Sequence, residues 1–163
     1  MSQTYSQGKH YGALGSFKVE LSLRCSKLAN LDILSKSDPM VVFSSAKVGQ
    51  GNHKAWQEVG RTEIIRDTLD PKFIKTFLMD YRFAAVQPLR FVVYDIDSNG
   101  PLDHQDLIGS AEVDLADVVA AAGQVLSLEL AHRSKKSPQG FITVSCEPWH
   151  EGGGVGNQVV QFQ

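Results

Sequence analysis

Four aspartates fall within the twelve residues Asp95-Ile96-Asp97-Ser98-Asn99-Gly100-Pro101-Leu102-Asp103-His104-Gln105-Asp106. Carboxylates held this close repel one another and cost stability unless a cation neutralises them. Hard divalent cations such as calcium (Ca2+) take about six to eight oxygens in flexible geometry, which an acidic loop can supply. The run follows Leu89-Arg90-Phe91-Val92-Val93-Tyr94, whose β-branched and aromatic residues read as a strand. Side chains alternate along a strand, so Asp95 and Asp97 can face one mouth where that strand ends.

A second acidic segment, Asp32-Ile33-Leu34-Ser35-Lys36-Ser37-Asp38-Pro39, also lies between two strand-like runs. Loops of a sandwich gather at its two ends, so distant acidic loops can converge on one ion. A competing pattern overlaps the first loop. Asp95, Asp97, Asn99, Gly100 and Asp106 match the first, third, fifth, sixth and twelfth positions of an EF-hand calcium loop, with Leu102 at the eighth. Against it stand the shorter Asp106 in place of Glu and the strand-like flanks on both sides. An EF-hand also leaves Asp32 and Asp38 without a role.

The elements that must position these loops are strands. They are expected at residues 17–25, 40–44, 56–65, 74–81, 89–94, 107–113, 126–130 and 141–146, separated by Ser37-Asp38-Pro39, Asp70-Pro71, Gln87-Pro88 and Ser137-Pro138. Eight short strands at this spacing predict an all-β fold, an eight-stranded antiparallel β-sandwich. One short helix is expected over 114–123, with Asp114 as N-cap, Asp117 in the first turn and Gly123 at its end. At 163 residues the chain suits one domain, and its net charge of −2 exerts no global pull on nucleic acid or membrane. No run approaches the roughly 20 apolar residues of a spanning helix, and residues 1–16 make no signal peptide. Residues 1–15 read as a flexible segment, 16–148 as the domain, 149–158 as a Gly-rich linker and 159–163 as the start of something cut short. Cys25 and Cys146 lie in apolar runs and read as two buried thiols of an intracellular protein rather than a disulfide. The histidines lack zinc-type spacing.

Asp32-x₅-Asp38-Pro39, then Tyr94-Asp95-Ile96-Asp97 and Asp106-Leu107-Ile108-Gly109, resemble the two calcium loops of a C2 domain. More narrowly, Ile33-Leu34-Ser35-Lys36-Ser37-Asp38-Pro39, Arg61-Thr62-Glu63, Leu69-Asp70-Pro71-Lys72-Phe73 and Val93-Tyr94-Asp95-Ile96-Asp97 resemble the first C2 domain of a copine. Asp70 stands where many C2 domains have Asn before Pro, and the second acidic loop is longer than in the best-known members. The resemblance implies a second C2 domain after the linker, begun at 159–163. One strand before the Asp32 loop and a final strand at 141–146 resemble the permuted, type II C2 order. That order sets the last strand beside the first, with Cys25 and Cys146 on neighbouring strands.

The expected mechanism is a calcium-driven electrostatic switch. Asp32, Asp38, Asp95, Asp97 and Asp106 give the mouth about −5, and two calcium ions bring it to about −1. Asp103 either joins the ligands or flanks them. By resemblance, the carbonyls of Leu31 and Ile96 complete the shell. The expected partner is an anionic phospholipid membrane of the phosphatidylserine type, which draws a cytoplasmic protein to the plasma membrane or other membranes when calcium rises. Ile33, Leu34 and Leu102 sit at the loop tips, either to enter the bilayer interface or to pack between loops. Each aliphatic side chain that enters contributes about 1.5–3 kcal/mol. Arg61, Arg66, Lys72 and Lys75 read as a solvated charged face before an inositol lipid site. Trp56 and Phe73 read as packing residues, and His104 as solvent-facing. The chain offers no nucleophile elbow, phosphate-cradling glycine loop or metal-binding histidine set, so no enzymatic activity is expected. A calcium-independent protein-interaction role is the alternative within the family.

Overall fold

The structure, a computed structural model, describes residues 15–31 and 34–151. Strand β1 (Ser16–Ser26) shows how sequence becomes layer: Val19, Leu21, Leu23 and Cys25 are buried, while Ser22 and Arg24 between them are exposed. The period of two puts every second side chain into the core. The other strands are β2 (Pro39–Val48), β3 (Lys54–Arg61), β4 (Phe77–Arg82), β5 (Pro88–Asp95), β6 (Asp106–Asp114), β7 (Val125–Glu129) and β8 (Phe141–Pro148).

They form two four-stranded antiparallel sheets, ordered β4-β1-β8-β7 and β3-β2-β5-β6. The expected β-sandwich is present, and β8 pairs beside β1 as the permuted order requires. Between the sheets Phe43 stacks on Phe91 with centroids 5.0 Å apart and tilts against Phe77 at the same separation. Val41, Leu89, Val93, Ile108, Leu130, Ile142 and Val144 fill the rest at 0% exposure.

Most strand bounds shift from the sequence reading by one or two residues and β2 runs four residues further, to Val48; the end of β3 and the start of β4 differ for a visible reason. Strand β3 stops at Arg61, because the Thr62 hydroxyl accepts the Val41 N–H at 2.9 Å and turns the chain out of the ladder. Strand β4 begins at Phe77, because the Glu63 carboxylate accepts the N–H groups of Ile74 and Lys75 at 2.6 and 3.2 Å. The helix α1 (Leu115–Ala120) is capped by Asp114, which accepts from the Ala116 N–H at 3.3 Å. It ends before Gly123, which sits at φ 64° in the turn that follows.

Three loops gather where β1, β3 and β5 end and β2 and β6 begin: 27–38, 62–76 and 96–105. Gly140, at φ 113°, lets the chain entering β8 pass closely against the first of them. A Cβ there would lie 2.7 Å from the Lys27 carbonyl and 2.8 Å from the Leu28 Cα.

Candidate metal centre

Strand β5 ends at Asp95 and β6 begins at Asp106, and the ladder sets these two directly opposite each other. A register irregularity between Val93 and Tyr94 shifts the last pairs of that ladder. The carboxylates of Asp95, Asp97 and Asp106 each offer an oxygen within 4.8 Å of the others. Asp95 is fully buried, while Asp97 and Asp106 are exposed. A buried carboxylate beside two more is costly without positive charge nearby. The donor set is all oxygen, the chemistry of calcium or magnesium and not of zinc. Strands flank the run on both sides, so the helix–loop–helix of an EF-hand is not what holds it.

Asp38 is tied to this group by its backbone. Its N–H donates to Asp95 Oδ1 at 2.9 Å, and its carbonyl accepts from the Ile96 N–H at 3.0 Å. Its carboxylate turns elsewhere. Oδ1 accepts the Asp67 N–H at 2.7 Å, and Oδ2 lies 3.4 Å from Arg66 Nη1. Asp38 is therefore beside the three-carboxylate group without being one of its members. Asp67 in turn accepts from the Lys36 N–H at 3.0 Å, and the Thr68 N–H reaches the Ser37 carbonyl at 2.9 Å. The loop 62–76 thus forms a third wall of the mouth, which the sequence reading did not assign. The available signal was Asp67 in a polar turn between two strands.

Of the other expected site residues, Asp103 lies exposed in the 3₁₀ helix Leu102–His104, outside the carboxylate group. His104 is exposed as well, and Leu102 is half-buried. Leu34 is fully exposed and Leu31 is 37% exposed, whereas Ile96 is half-buried. Asp32 and Ile33 lie outside the described residues, as do 1–14, the part of the expected 149–158 linker from 152 onward, and the expected second-domain start at 159–163. Gln105, which the sequence reading passed over, is buried at the base of the loop. Its side chain meets Asp97, Ser98 and Gly100.

Three of the four basic residues singled out from the sequence have partners of their own. Arg61 chelates Glu58 at 3.0 and 3.1 Å, Arg66 is on Asp38, and Lys75 lies over the Phe77 ring at 5.6 Å. Phe73 is core, and Trp56 lies half-buried under Arg90, 3.9 Å from ring centroid to guanidinium.

A family model described as C2 domain matches residues 18–140. Copine-C of Dictyostelium discoideum is 42% identical over 134 residues, which is 80% of this chain and 24% of that protein. The chain therefore spans about a quarter of this relative's length. Among solved structures, a single C2 domain of plant Extended Synaptotagmin 1 superposes with a TM-score of 0.58 at 20% identity, covering 83% of this chain and 97% of that one. The paired C2 domains of Extended-Synaptotagmin 2, calcium bound, give 0.52 at 17% identity over 81% of this chain and 46% of that one.

Proposed function

The chain belongs to the C2 domain family, and from that premise we propose that it is a calcium-dependent module for binding anionic phospholipid membranes. The observation that carries the reading is the convergence of Asp95, Asp97 and Asp106 within 4.8 Å. At 17% identity the calcium-bound neighbour shares the fold, so the support comes from this chain's own carboxylates.

Asp95, Asp97 and Asp106 would hold the ion, with Asp38 joining once its carboxylate leaves Arg66 and Asp67. The Ile96 and Leu31 carbonyls and Asp32 complete the proposed set, and Asp103 stands as an outer charge. Bound calcium supplies positive charge and open coordination positions for a phosphate or carboxylate oxygen of a lipid. The residues themselves do the rest. Without calcium the carboxylates repel a leaflet that sits at about −30 mV, so neutralising them removes a barrier to docking. Leu34 at the tip of the first loop, with Ile33 beside it, then meets the bilayer interface, and Leu102 supports the second loop from its half-buried position. No helix among the described residues is long and apolar enough to cross a membrane, so attachment by this route is peripheral. The protein is proposed to be cytoplasmic and to move to the plasma membrane or another anionic membrane as calcium rises. The fold and the copine relative point to a binding module, with no catalytic role proposed.

Calorimetric titration with calcium chloride, followed by co-sedimentation with phosphatidylserine/phosphatidylcholine vesicles, tests this. Calcium heat together with sedimentation abolished by chelator is expected. Vesicle binding indifferent to chelator, or a chain that takes up no calcium, would sink it.

A further inference from the structure

We infer that Gln105 is the positioning residue of the metal mouth: its side-chain amide fixes the 97–100 turn and so holds Asp97 beside Asp95 and Asp106. The inference rests on the calcium reading of the mouth.

Residues 97–101 are all exposed, so no apolar side chain within the turn anchors it to the core. Gln105 is 8% exposed and supplies the anchor from below. Its Oε1 accepts from the N–H groups of Asp97 and Ser98 at 2.9 and 3.4 Å. Its Nε2 donates to the Ser98 carbonyl at 3.0 Å, and to Ser98 Oγ and the Gly100 carbonyl at 3.1 Å each. Both ends of the amide are used, a donor and an acceptor on one planar group that neither a leucine nor an ionised glutamate supplies. A buried group satisfied in this way is rigid and expensive to replace.

The consequence for the ligands is geometric. Gln105 directly precedes Asp106, which opens β6 opposite Asp95. One short backbone segment thus carries one ligand and braces the turn that carries another. Pre-ordering the turn removes an entropy cost that would otherwise fall on ion binding. Partners of this outer kind typically change metal affinity by about 10–100-fold when lost.

The 163-residue chain and its Gln105→Leu and Gln105→Glu variants should be titrated with calcium chloride by calorimetry. Amide exchange at Asp97 and Ser98 should be followed in chelator, and vesicle sedimentation against calcium concentration. Gln105→Leu is expected to bind calcium about 10–100-fold more weakly and to exchange both amides faster. It should still reach the wild-type sedimentation plateau at saturating calcium, whereas a general folding defect would lower that plateau. Gln105→Glu keeps the shape and the acceptor but turns a carboxylate toward two carbonyls. It should also bind more weakly, although its extra charge beside Asp106 favours calcium on electrostatic grounds, and it carries the test if the leucine variant does not fold. Affinity unchanged in Gln105→Leu, or raised in Gln105→Glu, overturns the inference and leaves the calcium reading standing. No calcium heat with the wild-type chain overturns both.

Discussion

Asp38 is the residue for which the proposed calcium ion and an internal cation would compete. Its backbone is clamped to Asp95, yet both carboxylate oxygens are taken by Asp67 and Arg66. The Arg66 side chain is 76% exposed, so the pair is weak. Surface ion pairs of this kind contribute about 0.2–1 kcal/mol. Replacing Arg66 with Ala should therefore raise calcium affinity by no more than about fivefold in calorimetry. A fall in affinity would mean that Arg66 supports the site instead of opposing it. The carboxylate group itself gives a second comparison. Asp97→Asn removes a member and should weaken calcium binding by about tenfold or more, since affinity follows the number of charged ligands. Asp103→Asn removes an exposed charge outside the group and should change it by less than about threefold. Equal losses from the two substitutions would place Asp103 among the ligands. The spacing of Asp95, Asp97 and Asp106 was legible because a strand ladder turns spacing into direction. Asp38's orientation was not, since it is set by Asp67, 29 residues further along the chain in another loop. Gln105 was equally hidden, because an amide that accepts from one residue and donates to another leaves no periodic trace.

Among the elements, Glu63 ties down the 62–76 connection between β3 and β4, which are edge strands of different sheets. Burial alone would raise its pKa, but the N–H groups of Ile74, Glu63 itself and Lys75, with the Lys75 charge, outweigh that and hold it below the ordinary value. A carboxyl with a depressed folded-state pKa adds stability above its unfolded pKa and loses it as pH falls through the folded one. Glu63→Gln should therefore melt below wild type at neutral pH, with the gap closing as the pH drops beneath the usual carboxylate range. A gap that persists unchanged in acid would assign the loss to packing. This bond also explains why the start of β4 was misjudged from sequence. Ile-Lys-Thr-Phe carries good strand propensity, but a carboxylate eleven positions before Ile74 takes the N–H groups that pairing would need. Strand β1 met no such competitor, and its alternation could be read directly.

At the scale of the molecule, the register of β1 on β8 settles the relation of the two cysteines. Cys25 faces Ile142 and Cys146 faces Leu21, so the thiols lie on neighbouring strands, as expected, but four positions apart along them. At about 3.3 Å per residue this exceeds the roughly 7 Å limit for a disulfide. Burial pushes the Cys25 thiol up to about 12, and burial with the Glu147 charge raises Cys146. Neither should react with an alkylating reagent at pH 8 until the protein unfolds, as mass spectrometry can follow. Rapid native labelling of Cys25 would mean that the sandwich opens around β1. The same strand directions give the molecule a working polarity. Strand β1 starts and β8 finishes at the end opposite the acidic mouth, Val19 lying across from Pro148. In the proposed docking, the start of β1 and the finish of β8 therefore face away from the membrane, like the shackle of an anchor. A fluorescent protein fused at either side would report docking without standing in its way.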